Sequence, residues 1–187
     1  MEGTQARGEP VIETERLLLA RPTLADFEDS CAMLIDSSVM AFIGGQPVRR
    51  EDAWNKLLRN IGHWAAFGNG IFTVREKDGG RFLGEVGIAH FARGFGASFD
   101  PFPEAAWILV SATHGRGYAT EAVQSAHAWM AEMHGAERTV CLIHPDNLPS
   151  LRVAEKLGYR RFGEVRYRDA PGILFERGAE VGAGVTP

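Results

Sequence analysis

Hydrophobic positions along this chain recur with two periods, and the change between them divides it into elements. A spacing near 3.6 residues predicts one helix from about Leu24 to Ile35, with Phe27, Cys31, Leu34 and Ile35 inward and Thr23 as N-cap. It predicts a second from Arg50 to Ala66, with Trp54, Leu57, Leu58, Ile61 and Ala65 inward. From Gly70 the period falls to two. Ile71–Arg75 and Phe82–Phe91 then read as paired strands around the turn Lys77–Gly80. Short apolar runs at Ala105–Val110 and Thr139–Ile143 read as buried strands, and Arg16–Arg21 as a strand ended by Pro22. Between the two buried runs lies a strongly periodic helix. Its stripe is Ala119, Ala122, Val123, Ala126, Trp129, Met130 and Met133, with His127 and Glu132 off it. A short helix, Leu151–Leu157, closes at Gly158, and Tyr159–Tyr167 and Gly172–Glu176 are the last strands. The order βααβββαβαββ predicts a mixed α/β sheet.

The segments between these elements are less decided. Ser37–Pro47 reads as a loop. Residues Arg93–Pro103 form a loop rich in glycine, proline and phenylalanine. Its rings (Phe95, Phe99, Pro101, Phe102) either line a pocket or pack as an ordinary connection. The chain from 11 to 177 is expected to be a single domain, with loosely ordered tails at 1–10 and 178–187.

Composition narrows the function classes. Hydrophobic content of 45% and charged content of 24% are those of a globular protein. A net charge of −4 without a basic run argues against nucleic acid as partner. Cys31 and Cys141 lack metal-ligand spacing and read as reduced core thiols, so no metal and a cytoplasmic location are expected. No apolar run approaches the length of a membrane span, and no membrane association is expected.

The chemistry centres on the passage from the strand Ala105–Val110 through His114-Gly-Arg-Gly-Tyr-Ala119 into the long helix. A helix N-terminus leaves main-chain N–H groups without partners, and its dipole favours negative charge. Gly115 and Gly117 allow close approach of a phosphate, and Arg116 is placed to add a charged contact. The segment lacks the Gly-Lys-Ser/Thr ending of a P-loop and the full dinucleotide fingerprint.

His114-Gly-Arg-Gly-Tyr-Ala-Thr-Glu-Ala122 resembles the acyl-CoA signature of the GNAT superfamily of N-acetyltransferases, Gln/Arg-x-x-Gly-x-Gly/Ala. The matching positions are His114, Gly117 and Ala119, so the first departs and holds histidine. A second stretch, Asn147-Leu-Pro-Ser150 followed by Glu155-Lys-Leu-Gly-Tyr159, resembles the later motif of the branch that includes ribosomal-protein N-terminal acetyltransferases. The element order also matches that of the superfamily, so the resemblance covers about residues 11–177. The resemblance implies a mixed, mostly antiparallel twisted sheet of about seven strands flanked by about four helices. It also implies acetyl-CoA as cofactor and an amine acceptor, either a protein N-terminus or a small molecule.

The same resemblance implies where the cofactor lies. Phosphates would meet the main chain of Gly115, Arg116, Gly117, Tyr118, Ala119 and Thr120. The strand would splay from Val140–Ile143 over Trp107–Val110 and leave backbone groups unpaired, where pantetheine would meet Ile108, Leu109 and Val110, and then Asn147 and Ser150. Many relatives use a tyrosine seven residues after the motif asparagine; that position is Ala154, and Ser150 stands as its substitute at the leaving group. For the base, Glu104 and His144 are both candidates, and an α-amine would need none. Glu85 reads as a solvent-facing charge, and Glu121 as a first-turn anion favoured by the helix dipole. Asn147 also suits an N-cap. Acceptor contacts are expected from 36–66 and 93–103. A homodimer is compatible with all of this. The rival readings are an acyl-CoA sensor without transfer and a nucleotide-binding domain.

Overall fold

The computed structural model describes residues 7–43, 46–135 and 138–178. Its eight strands are β1 (Pro10–Glu13), β2 (Leu17–Ala20), β3 (Ile71–Glu76), β4 (Phe82–Ala89), β5 (Glu104–Leu109), β6 (Thr139–Ile143), β7 (Arg160–Tyr167) and β8 (Ala170–Arg177). They join one sheet in the order β1-β2-β3-β4-β5-β6-β8-β7. Every neighbouring pair is antiparallel except β5–β6, which is parallel. The helices are α1 (Phe27–Ile35), α2 (Ser37–Met40), α3 (Arg50–Phe67), α4 (Tyr118–His134) and α5 (Leu148–Lys156).

The mixed, mostly antiparallel sheet agrees with the expectation, with one strand and one short helix more. β1 begins at Pro10, inside the stretch expected to be loose; four residues are too few to show a period. Residues 1–6 and 179–187, the rest of the expected tails, lie outside the described residues. α2 replaces part of the expected loop after Ile35, and Asp36 starts it by accepting from the Ser38 N–H at 2.9 Å.

The sheet separates two cores. On one face α4 lays Tyr118, Ala122, Val123, Ala126 and Met130 against Leu17, Leu19, Val74, Leu83 and Val86. On the other, Cys31, Met33 and Leu34 of α1 pack with Ala53 of α3, Phe82 and Ile108. Arg75 pins α1 to β3, donating to Asp26 at 2.9 Å and Asp29 at 2.8 Å. The loop 93–103 resolves to packing: Phe99 is 2% exposed and joins Phe95, Phe102, Phe162 and Leu174 in a third cluster over the β6–β8–β7 half.

Three helical stripes differ from those the periodicity predicts. α1 buries Ser30 and Met33 with Cys31 and Leu34 and leaves Ile35, its last residue, exposed where the chain turns away. α3 turns Ala53, Leu57, Asn60 and Trp64 inward and leaves Trp54 and Leu58 exposed. α4 exposes Met133 and buries His127. His127 is inward because the β6 side offers it a partner. Its Nε2 lies 3.0 Å from the Tyr159 hydroxyl, which lies 2.9 Å from Thr139 Oγ1. Polar groups become core residues where they satisfy one another.

Burial, with a smaller push from Arg177, lowers the His127 pKa to about 3. The neutral ring therefore belongs to the fold, while the unfolded chain takes a proton near pH 6.5. Stability is fully present above that value and is lost as pH falls from it toward 3. His90, lowered chiefly by burial, acts in the same sense. Urea unfolding is expected to show a loss of about 2 kcal/mol between pH 7 and pH 5, and His127→Gln to remove most of that slope. A slope unchanged in the variant would place the pH sensitivity elsewhere.

Candidate active site

The site is built where β5 leaves β6. The two strands share one ladder position, Glu104 opposite Val140, and then part. Along its other edge β5 stays paired with β4 from Ala89–Glu104 to Gly84–Leu109. The Val110 N–H donates to the Leu83 carbonyl at 2.9 Å. Alternation along an antiparallel ladder then turns the main-chain groups of Ile108 toward β4, and those of Trp107 and Leu109 toward the gap. Of the expected main-chain contacts Ile108, Leu109 and Val110, only Leu109 therefore faces the opening by its backbone. Trp107, the first residue of the stretch expected to splay, faces it too. Gly84 holds this register, since a Cβ there would meet the Ile108 oxygen at 2.2 Å.

Past Val110, a turn of 3-10 helix (Ser111–Thr113) leads to the glycine segment. Gly115 (φ 76°) and Gly117 (φ 81°) both occupy the left-handed region. From Gly115 to Thr120, six consecutive N–H groups find no main-chain acceptor among the described residues, and only at Glu121 does N–H donate back to Gly117. Such a run is a concave array of donors at the positive end of α4. The side chains around it are held elsewhere. Tyr118 is buried, and its hydroxyl donates to Glu76 at 2.7 Å. His114 turns back so that Nε2 meets the Leu109 carbonyl at 3.1 Å.

Arg16 is the residue here that no motif signalled. Its Nε donates to Glu121 at 2.7 Å, its Nη1 to the Arg116 carbonyl at 3.0 Å, and its guanidinium lies 4.6 Å from the centre of the Tyr118 ring. Glu121 also accepts from Thr14 at 2.6 Å. Its carboxylate fastens the N-terminal strands to α4, beyond its expected role with the dipole.

On the far side of the gap, Asn147 caps α5, its Oδ1 accepting from the Ser150 N–H at 3.2 Å. The Ser150 hydroxyl accepts from Trp107 Nε1 at 3.2 Å. An indole is a donor only, so the serine proton stays free to point into the gap.

A cavity of about 1230 Å³ opens on the α1–α3 face of the sheet and reaches this gap, touching Trp107, Ile108, Ile143, His144, Asn147 and Ser150. Glu104 lies in its wall at 3% exposure, gripped by Arg93 through Nε (2.6 Å) and Nη2 (2.7 Å). Burial pushes the Glu104 carboxyl up, and Arg93 pulls against it. Glu85 does not face solvent. It is 5% exposed, pairs with Lys56 and accepts from Ser30, because the register with Ile108 turns it under α1 and α3. His144 lies beside Phe42, ring centres 5.9 Å apart. Its Nδ1 accepts from the Asp146 N–H at 3.2 Å, so the neutral ring carries its proton on Nε2 and presents a donor to the cavity.

The model for the acetyltransferase (GNAT) domain matches residues 16–160, more than half of the chain. The chain belongs to the GNAT acetyltransferase family. YnaD, an uncharacterized N-acetyltransferase of Bacillus subtilis, is 29% identical over 152 residues, 81% of this chain and 84% of that protein. A Bordetella pertussis structure described as a GNAT-family acetyltransferase is 37% identical, with a TM-score of 0.80 over 89% of this chain and 98% of its own. A lower likeness, 14% identity and a TM-score of 0.75 over 92% and 99% of the two chains, relates the fold to RimL, a ribosomal L7/L12 α-N-protein acetyltransferase in complex with coenzyme A. A GNAT acetyltransferase takes its acetyl group from acetyl-CoA, so that is the cosubstrate. Among the described residues no helix is long and apolar enough to cross a membrane.

Removing Arg93 leaves a buried carboxylate alone. Arg93→Met is expected to lower stability by about 3–5 kcal/mol, read from the denaturant midpoint. Adding Glu104→Leu should restore most of it, and a variant as stable as the parent would deny the pair its buried character.

Proposed function

We propose that this acetyltransferase transfers the acetyl group directly to a primary amine held in the cavity on the α1–α3 face. The observation that carries this reading is the continuity of that cavity with the β5–β6 gap at Trp107 and Ser150. The residues fit the cosubstrate at two places. The six free N–H groups of Gly115–Thr120 would hold its phosphates, and the main-chain groups of Trp107 and Leu109 would hold its amide-bearing arm. When bound, acetyl-CoA supplies an activated acetyl thioester.

The chain's own groups then do the rest. Ser150, its oxygen held by the Trp107 indole, keeps a hydroxyl proton that would be available to a thiolate leaving group in the gap. Asn147 keeps that serine in place through the cap. Glu104 is the proton acceptor for the amine, since burial raises its basicity. His144 serves as a donor rather than a base, as its tautomer dictates. Acceptor contacts come from the α2–α3 region and from the start of the 93–103 loop at Arg93, not from its buried rings. A protein N-terminus and a small-molecule amine both meet these demands.

Calorimetry with acetyl-CoA, followed by thiol release with amine acceptors, tests the reading. Ser150→Ala is expected to bind acetyl-CoA as the parent does while kcat falls about 100-fold. Absence of acetyl-CoA binding in the parent would sink the placement, and binding without transfer to any amine would favour a sensor.

Glu104→Gln is expected to lower kcat about 10- to 100-fold at pH 7. The deficit should narrow toward pH 9.5, where a larger share of the acceptor is already neutral. A deficit that stays constant with pH would remove Glu104 from proton transfer.

A further inference from the structure

The acceptor cavity carries an excess of positive charge that its own carboxylates do not cancel. Five cationic side chains line it against three carboxylates, in a chain whose net charge is −4. Arg49 pairs with Asp52, Lys56 with Glu85, and Arg93 with Glu104. Arg59 and Arg168 remain, and neither has an ion-pair partner among the described residues. None of Gly115–Thr120 lines this cavity, so these two arginines are not part of the phosphate-binding run.

Two further observations mark the place as built for a ligand. Asn60, one residue beyond Arg59 on α3, is 4% exposed and lines the cavity, yet its carboxamide has no hydrogen-bond partner among the described residues. A carboxamide at the cavity wall with no internal partner is available to a ligand oxygen. Arg168 sits in the β7–β8 turn at φ 49°, followed by Asp169 at φ 63°. Both occupy the left-handed region that two-residue hairpins reserve for asparagine and glycine. An arginine there strains the backbone, and strain of that kind accumulates at ligand-binding positions.

We infer that Arg59, Asn60 and Arg168 form a subsite for an anionic group on the acceptor, so that the preferred acceptor is an amine bearing a carboxylate or a phosphate. This rests on the acceptor cavity proposed above and adds the substrate class. Successive positions of α3 supply a guanidinium and a carboxamide to the cavity lining, and the β7–β8 turn adds a second guanidinium to it. Because the three internal ion pairs are already closed, an incoming anion meets two free cations and displaces none.

The test uses matched amines in the full chain: phenylalanine against phenylalaninamide for the carboxylate arm, phosphoethanolamine against ethanolamine for the phosphate arm. With saturating acetyl-CoA, the anionic member of at least one pair is expected to exceed its neutral partner in kcat/KM by about tenfold or more. Whichever arm shows it identifies the anion. Arg59→Ala and Arg168→Gly should each bring that ratio toward one without changing acetyl-CoA affinity. The second variant relieves the strained turn, so its unfolding midpoint should not fall, and loss of preference there cannot be ascribed to misfolding. Where no amine turns over, calorimetry with N-acetylphenylalanine and its amide, in the presence of coenzyme A, reads the subsite directly: the acid binds and the amide does not. Neutral members that match or surpass the anionic ones overturn the inference. So does a preference that survives both variants, or an acid that fails to bind. Failure to bind acetyl-CoA with the acid preference intact would instead remove the transferase placement and leave the subsite standing.

Discussion

The structure depends on one strand being hydrogen-bonded along a single edge. β5 is held by β4 over its whole length, but it meets β6 only where Glu104 faces Val140. Everything chemical follows from that parting. Main-chain groups of Trp107 and Leu109 face an opening, as the alternation of the ladder requires. α4 starts just beyond the end of β5, so its unpaired N–H groups lie close to the same opening. α5 starts just beyond the end of β6, so Ser150 comes up on the other bank and meets Trp107 across it. A parallel pair that stayed closed would satisfy its backbone and leave nothing to bind.

The two faces of the sheet have divided the remaining work. The face under α4 is mostly apolar; the His127–Tyr159–Thr139 group buried there is satisfied internally, and its burial makes the fold sensitive to acid. The face under α1 and α3 carries Glu85 and Glu104, each closed by a cation from a neighbouring segment. Such pairs do little for stability relative to an apolar core, because desolvation offsets their attraction. Their consequence is electrostatic: they fix which charges in the cavity are spent and which, at Arg59 and Arg168, have no ion-pair partner among the described residues.

Element order and both motifs were legible in the residues because they rest on local physics. A period of two or 3.6 needs only a buried side, Asn147 needs only a helix to cap, and Gly115 and Gly117 need only a left-handed turn. Readings that depended on partners far along the chain were less secure. Glu85 resembled any strand-surface carboxylate until α1 and α3 covered it, and His127 any off-stripe polar residue until Tyr159 met it. Arg16 lies 100 residues from the carbonyl it binds, and no spacing could have connected them.

By itself, then, the sequence determined the family, the order of strands and helices, and the segment where a helix N-terminus offers its amides. These are properties of neighbours in the chain, encoded by propensity, periodicity and motif. Only the tertiary structure decided which backbone groups face the gap, which nitrogen of His144 carries the proton, and how the cavity's charges pair. Those are set by register and by contacts between residues tens of positions apart, where a shift of one place turns a side chain to the opposite face.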